Sequence, residues 1–406
     1  MDWTVRVPET GEVGALLDVN TVAFGKAVQH DRSDRALQLT ERERLLGAWE
    51  DGRWVGCAGS FPFEMSVPGG SLPCAGVTWV GVLPTHRRRG VLSALMARQL
   101  GDCRERGEPL AMLWASEAPI YGRFGYGTGV QVLEHVRIER VHGRLRGHPG
   151  LRGRVRLVSR DEALTAWPAA WEAVRAERAG LHRRSPPWWQ LRAIPEAGER
   201  PGDGAEFLAS LEESGATIGY VRYRVRGDWQ DGIRDGTLEV LELLGVDGGA
   251  EAALWEFVFG VDLVERVAAR YRPLDELLWH LLEDPRRLER RPVDALFVRV
   301  VNPVRALEGR RYAAEGRVVL EVRDDFGGHA AGRFALECSG GAGRCRVTTE
   351  SPGAELDAAA LGALYMGQAS ALALWRAGLI ATDRETAARL DRLFRWSPEA
   401  WAPEEW

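Results

Sequence analysis

Residues 77–100, VTWVGVLPTHRRRGVLSALMARQL, constrain the fold more than any other part of the chain. They predict an apolar strand over 77–82, a short turn at Pro84, an arginine run closed by Gly90, and an amphipathic helix beyond it. Glycine lets an anion approach the backbone closely. The first N–H groups of the helix, at Val91, Leu92 and Ser93, have no intrahelical partner and favour negative charge. Arg87, Arg88 and Arg89 add forked donors suited to phosphate. A strand feeding such a turn and helix is the core of a nucleotide or coenzyme site.

Two common phosphate loops do not fit. GxxxxGK[ST] does not occur, and the spacing from Gly81 to Gly90 does not give GxGxxG. What remains is [QR]xxGx[GA], the pyrophosphate turn of the GNAT superfamily of N-acetyltransferases. RRRGVL at 87–92 resembles it, with Leu92 in place of the last small residue. The string VxPTHRRRGxL at 82–92, followed by ASEAPIYGRFGYG at 115–127, resembles the Eis (enhanced intracellular survival) acetyltransferases. Leucine at that turn position is ordinary in that family. A solvated basic run at a helix start is the plainer reading of three arginines, but it leaves the second string unexplained.

A chain of 406 residues suggests two to four domains. With 45% hydrophobic and 27% charged residues it reads as globular. No apolar run approaches the roughly 20 residues of a membrane helix. The opening MDWTVRVPET lacks a basic start and an apolar core, so a cytoplasmic location is expected. A net charge of −5 disfavours nucleic acid and suits a cationic substrate. The five cysteines show no CxxC spacing. Cys338 and Cys345 flank a predicted hairpin loop and could face each other, yet reduced thiols are the expectation. The histidines form no HExxH pattern, and no metal is expected.

The Eis resemblance implies tandem GNAT folds, of α+β or α/β class, followed by a domain like sterol carrier protein. The expected segments are a catalytic domain over 1–145, a degenerate acetyltransferase-like domain over 150–295, and the carrier-like domain over 296–406. The first segment carries a hairpin over 49–60 with an Asp51-Gly52 turn and a strand over 110–114. A Gly- and Arg-rich linker is expected at 143–153. The second carries a helix over 161–179, a strand over 216–226, and a strand-turn-helix unit over 238–259. That unit mirrors residues 77–100, but Asp247 and Glu251 stand where arginines would be needed, and acidic groups repel pyrophosphate. In the third, FVRVVNPVRALEGRRY at 297–312 resembles the family's junction. Strands are expected over 318–322, 334–338 and 344–348, and helices over 356–364 and 371–377.

Acetyl transfer from a thioester needs a neutral amine, a polarised carbonyl and a proton for the departing thiolate. In the acetyltransferase fold the strand before the pyrophosphate turn is bulged, and its free amides bond acetyl and pantetheine. By position those amides belong to Val80, Gly81 and Val82. Ser116 and Glu117 lie where related proteins hold the coenzyme arm. Ser116 also reads as a helix N-cap, and the two roles are compatible. Tyr121 is the expected general acid, because a phenol keeps its proton at neutral pH. Tyr126 is the competing candidate, with packing beside Gly125 and Gly127 as its alternative role. The chain ends WSPEAWAPEEW, and three tryptophans in eleven residues suggest a tail that docks. In the family the terminal carboxylate, typically of Phe, accepts the amine proton. That resemblance assigns the base to Trp406, an acidic substrate contact to Glu405 and a pocket aromatic to Phe24.

The implied activity is acetyl-CoA-dependent N-acetylation of small cationic amines, aminoglycoside or polyamine-like, by a homohexamer without membrane or nucleic-acid partners. Acetylation of protein lysine and non-catalytic binding of acyl-CoA or lipid are the alternatives.

Overall fold

A computed structural model describes residues 3–27, 33–195, 205–227, 229–230 and 233–406. The chain forms two compact units. The first holds residues 1–130, 295–400 and 405–406; the second holds 131–294 and 401–404.

The first unit is built on a seven-stranded sheet. Its central members are β1 (Arg53–Val67), β2 (Gly70–Val82) and β3 (Leu110–Trp114). Asp51 and Gly52 both adopt positive φ, 47° and 80°, and close the expected hairpin into β1. β2 is antiparallel to β1 and parallel to β3. Helix α1 (Val13–Ala23) precedes these central strands, and α2 (Val91–Glu105) crosses from β2 to β3. α2 buries Val91, Leu95, Met96, Gln99, Leu100 and Cys103, a 3- and 4-residue spacing that keeps one face on the sheet. The short helix α3 (Ala118–Gly122) follows β3.

The second unit repeats this plan. β4 (Ala216–Arg226) is antiparallel to β5 (Thr237–Gly245), which is parallel to β6 (Arg266–Arg272). Helix α4 (Arg160–Glu177) lies ahead of them, opened by a Ser159–Glu162 capping box. Helix α5 (Gly248–Phe259) crosses from β5 to β6.

The chain exchanges strands between the sheets. Gln131–Glu139 pairs in the second sheet, although it directly follows the first sheet's strand Gly127–Thr128. Leu296–Val300 returns to pair with β3. Residues 131–145, counted by sequence with the first segment, thus belong to the second unit.

A five-stranded sheet completes the first unit. The helix expected from residue 356 starts at Ala358 instead. Ala354–Asp357 is a strand paired with residues 320–323, and Asp357 then caps the helix by accepting the Ala360 N–H at 2.7 Å. Cys338 faces Gly343 and Cys345 faces Leu336, so the two thiols are not cross-strand partners. All five cysteines are free and buried. No helix among the described residues is long and apolar enough to cross a membrane.

Candidate active site

β2 carries an irregularity where the site was expected. Its register with β1 shifts between Cys57, opposite Gly81, and Gly59, opposite Thr78. Trp79 sits in the extra turn of backbone with φ 50°, and its carbonyl accepts the Cys57 thiol at 3.0 Å. The parallel register with β3 covers only residues 74–76 against 110–112. Beyond it the two strands diverge. The Leu83 N–H donates to the Val55 carbonyl at 3.0 Å, so strand alternation turns the Val82 amide toward the open edge. Gly81 instead faces β1.

Gly81 has a second role. A Cβ there would lie 3.1 Å from both Ala23 Cβ and Asn20 Cα, so a larger residue would push α1 back by a few tenths of an ångström. The close approach brings the end of α1 to β2. Phe24 caps that end and is 49% exposed, and Arg87 Nη2 donates to the Ala23 carbonyl at 3.0 Å. The structure therefore gathers Phe24, Gly81 and Arg87.

The turn into α2 has the left-handed geometry that close anion approach requires. Arg88 has φ 61° and Gly90 φ 86°. Among the described residues no side chain caps α2, and a Cβ on Gly90 would meet nothing within 4 Å. The leading amides, Val91 to Ser93, are thus left to an external acceptor. The three arginines do not act alike. Arg88 is exposed, while Arg89 is tied to Glu50 at 2.8 Å. Glu50 is buried and also meets His86 Nε2 at 2.6 Å. Burial alone would raise the Glu50 carboxyl, but hydrogen bonds from His86 and Arg89 outweigh it and hold it below its ordinary range. Sequence reasoning missed Glu50, which lies 39 residues from Arg89.

Across the splay, Glu117 rather than Ser116 is the N-cap of α3, and its side chain makes no capping bond. The cap role expected of Ser116 is therefore corrected: the helix begins one residue later. Both residues are exposed. Tyr121 is buried, in one apolar cluster with Val77, Leu113 and Phe124, against which Val80 and Leu92 pack. Burial pushes its phenol up to about 12, with the Glu117 carboxylate adding to the shift. Tyr126 packs edge-on at 6.0 Å. Its hydroxyl is buried with no hydrogen-bond partner among the described residues.

The tail reaches the same strand. Trp406 Nε1 donates to the Val77 carbonyl at 3.2 Å, and its ring meets Phe63 edge-on at 5.0 Å. Val77 is the first residue of β2 past its register with β3. Glu405 is exposed. Trp406 thus bonds Val77, a member of the apolar cluster that also holds Tyr121.

Residues 4–129 and residues 180–300 each match an acetyltransferase (GNAT) domain family, and residues 303–403 match a sterol carrier protein domain family. The chain is 39% identical over 98% of its length to an uncharacterized N-acetyltransferase of Streptomyces avermitilis, covering 99% of that protein. It is 38% identical over 86% of its length to N-acetyltransferase Eis of Mycobacterium tuberculosis, covering 85% of that protein. The crystal structure of Eis1 from Mycobacterium abscessus superposes with TM-score 0.86 at 32% identity, over 99% of this chain and 100% of that one. The chain belongs to the Eis family of GNAT N-acetyltransferases. It is an acetyltransferase with two tandem GNAT folds and a carrier-protein-like domain.

GNAT enzymes draw their acetyl group from acetyl-CoA, and the first fold of this Eis-family chain suits that cosubstrate. The uncapped α2 start, the open space at Gly90 and the unladdered edge of β2 match a diphosphate and a pantetheine arm. The second fold offers no such start. Asp247 Oδ1 accepts the N–H groups of Gly249 and Ala250, both at 3.0 Å. A Cβ on Gly249 would lie 2.1 Å from the Gly150 carbonyl oxygen, so backbone already fills that approach. The helix caps itself where the first fold leaves its amides free. Among the described residues no group of three His, Cys, Asp or Glu could hold a metal ion.

Proposed function

We propose that this Eis-family enzyme acetylates primary amines of small cationic molecules, aminoglycoside or polyamine-like, at the first GNAT fold. The observation that carries the reading is the Trp406–Val77 bond, which ties the tail to a member of the apolar cluster holding Tyr121, on the strand that leads into the uncapped start of α2. In this reading the amides of Val91, Leu92 and Ser93, with Arg87 and Arg88 beside them, hold the diphosphate. Arg89 braces the turn through Glu50. Backbone amides of Val80 and Val82 polarise the thioester carbonyl, while Ser116 and Glu117 flank the pantetheine arm. Acetyl-CoA supplies the acyl carbon.

The proton steps belong to the chain. As the amine nitrogen bonds the acyl carbon and the C–S bond breaks, the α-carboxylate of Trp406 takes the amine proton, and the Tyr121 phenol gives its proton to the sulfur. Phe24 and Glu405 provide an aromatic wall and a negative charge for a polycation. The second GNAT fold is a degenerate copy with no coenzyme of its own.

The test is coenzyme A release with aminoglycosides, polyamines and lysine peptides, each product followed by mass spectrometry. Discrete acetyl additions to the multi-amine cations support the reading. Turnover of peptides alone favours lysine acetylation of proteins, and coenzyme binding without any turnover favours a non-catalytic carrier.

A further inference from the structure

In the second unit a buried charge cluster closes on one residue of the tail. The Glu404 carboxylate accepts from Arg184 Nε at 2.8 Å and from Trp188 Nε1 at 3.2 Å, with His182 Nε2 at 3.6 Å. The Arg184 side chain is fully buried. Its two terminal nitrogens bond Glu242 at 2.9 and 2.8 Å, and its guanidinium lies over Trp171 at 3.5 Å. Tyr220 donates to the same Glu242. Glu242 takes one N–H from each terminal nitrogen, and Nε donates to the tail.

Three residues earlier, Trp401 is 3% exposed. Its amide donates to the Ala179 carbonyl at 2.8 Å and its indole to the Tyr271 carbonyl at 2.5 Å. Gly180, at φ 97°, makes room: a Cβ there would lie 2.4 Å from the Trp401 carbonyl oxygen. Tyr271 and Arg272 end β6, past Ala269, where its parallel register with β5 stops. Arg272 spans the gap to the Leu243 carbonyl of β5, pairs with Glu251 and Glu276, and stands 5.2 Å below the Trp401 ring. The splay that opens a coenzyme cleft in the first fold is bridged here and roofed by the chain's own tryptophan.

We infer that the degenerate GNAT fold serves as a receptor for the chain's own C-terminal segment, with Arg184 reading Glu404 and the Ala179–Tyr271 rim reading Trp401. Only Glu405 separates this anchor from Trp406. Docking therefore restricts the carboxylate that takes the amine proton, which makes Arg184 and Glu404 positioning residues. The inference rests on the proton-acceptor role given to Trp406 above.

The full-length variants Glu404→Ala and Glu404→Gln test it, because this residue is partly exposed and its loss leaves the Arg184–Glu242 pair intact. Amide hydrogen exchange over 401–406, kcat, coenzyme Kd and melting temperature are measured together. Glu404→Ala is expected to speed tail exchange and lower kcat about ten- to hundredfold, with coenzyme Kd nearly unchanged and melting lowered modestly, because buried Arg184 Nε and Trp188 Nε1 lose an acceptor. Glu404→Gln, which still offers Arg184 an oxygen, recovers part of the kcat. Unchanged tail exchange in Glu404→Ala overturns the docking role. Faster exchange with wild-type kcat overturns the positioning role and leaves the acetyl-transfer reading standing. Wild-type protein that acetylates no amine overturns that reading itself, and the positioning role with it.

Discussion

The indole N–H of Trp406 donates to the backbone carbonyl of Val77, at the point where β2 parts from β3. That bond and the edge contact with Phe63 fix the last residue against the strand expected to bind the thioester. Trp406→Phe keeps a ring for Phe63 and loses one donor. Its kcat should fall by about fivefold, the worth of one hydrogen bond of ~1 kcal/mol. Trp406→Ala loses both contacts and should fall further. Steady-state release of coenzyme A measures both. Equal, wild-type rates for the pair contradict a catalytic place for the tail.

Tyr121 and Tyr126 should separate cleanly. Tyr121→Phe is expected to lower kcat by roughly 10²–10⁴, the usual worth of a positioned acid. Burial raises the Tyr121 phenol to about 12, so the acid keeps its proton as pH rises and should impose no falling limb below about pH 10. A limb with a lower midpoint that vanishes in Tyr121→Phe contradicts the assignment. Tyr126→Phe removes a hydroxyl that is buried and unpaired among the described residues. It should leave kcat near wild type and raise stability by about 1 kcal/mol, read from denaturant midpoints.

Glu50 should tie stability to pH. Its carboxyl is held below its ordinary range in the folded chain by His86 and Arg89 against the effect of burial. The stabilising contribution is therefore complete above the ordinary carboxylate pKa and is lost as pH falls through the lower folded value. Glu50→Gln should melt lower near pH 7, and the difference from the wild type should begin to shrink only as pH drops below about 4. Melting temperatures that stay parallel over this range contradict the role.

The thiols should be silent in the native protein. Burial pushes Cys57 and Cys345 up to about 12 and Cys338 to about 11, and Cys74 and Cys103 are raised as well. Thiolate is the reactive form. A thiol reagent at about pH 8 should find almost none in the folded chain and all five after denaturation. Rapid native labelling contradicts the burial and would also spoil coenzyme A assays.

The part of the fold set by local pattern was legible in the sequence. Gly90, the helix period after it and the Asp51-Gly52 turn each act within a few residues, and each stands where the pattern placed it. What escaped depends on distant partners. The strand Gln131–Glu139 has the same alternation whichever sheet it joins, so its exchange into the second sheet had no local mark. The same holds for the Glu50–Arg89 pair and for the register that turns Cys345 toward Leu336. Helix Arg384–Phe394 is different. Asp383 caps it through Thr386, and Ala387, Leu390 and Phe394 recur at helical spacing, so the signal was present and went unread.

The central claim is that the first GNAT fold alone grips the coenzyme diphosphate, at the uncapped start of α2. A crystal structure of the full chain with coenzyme A tests it most directly. The account predicts diphosphate density against the amides of Val91, Leu92 and Ser93, none at Asp247, and Trp406 still bonded to Val77. Diphosphate bound at the start of α5, or the α2 turn empty at saturating coenzyme, would contradict it.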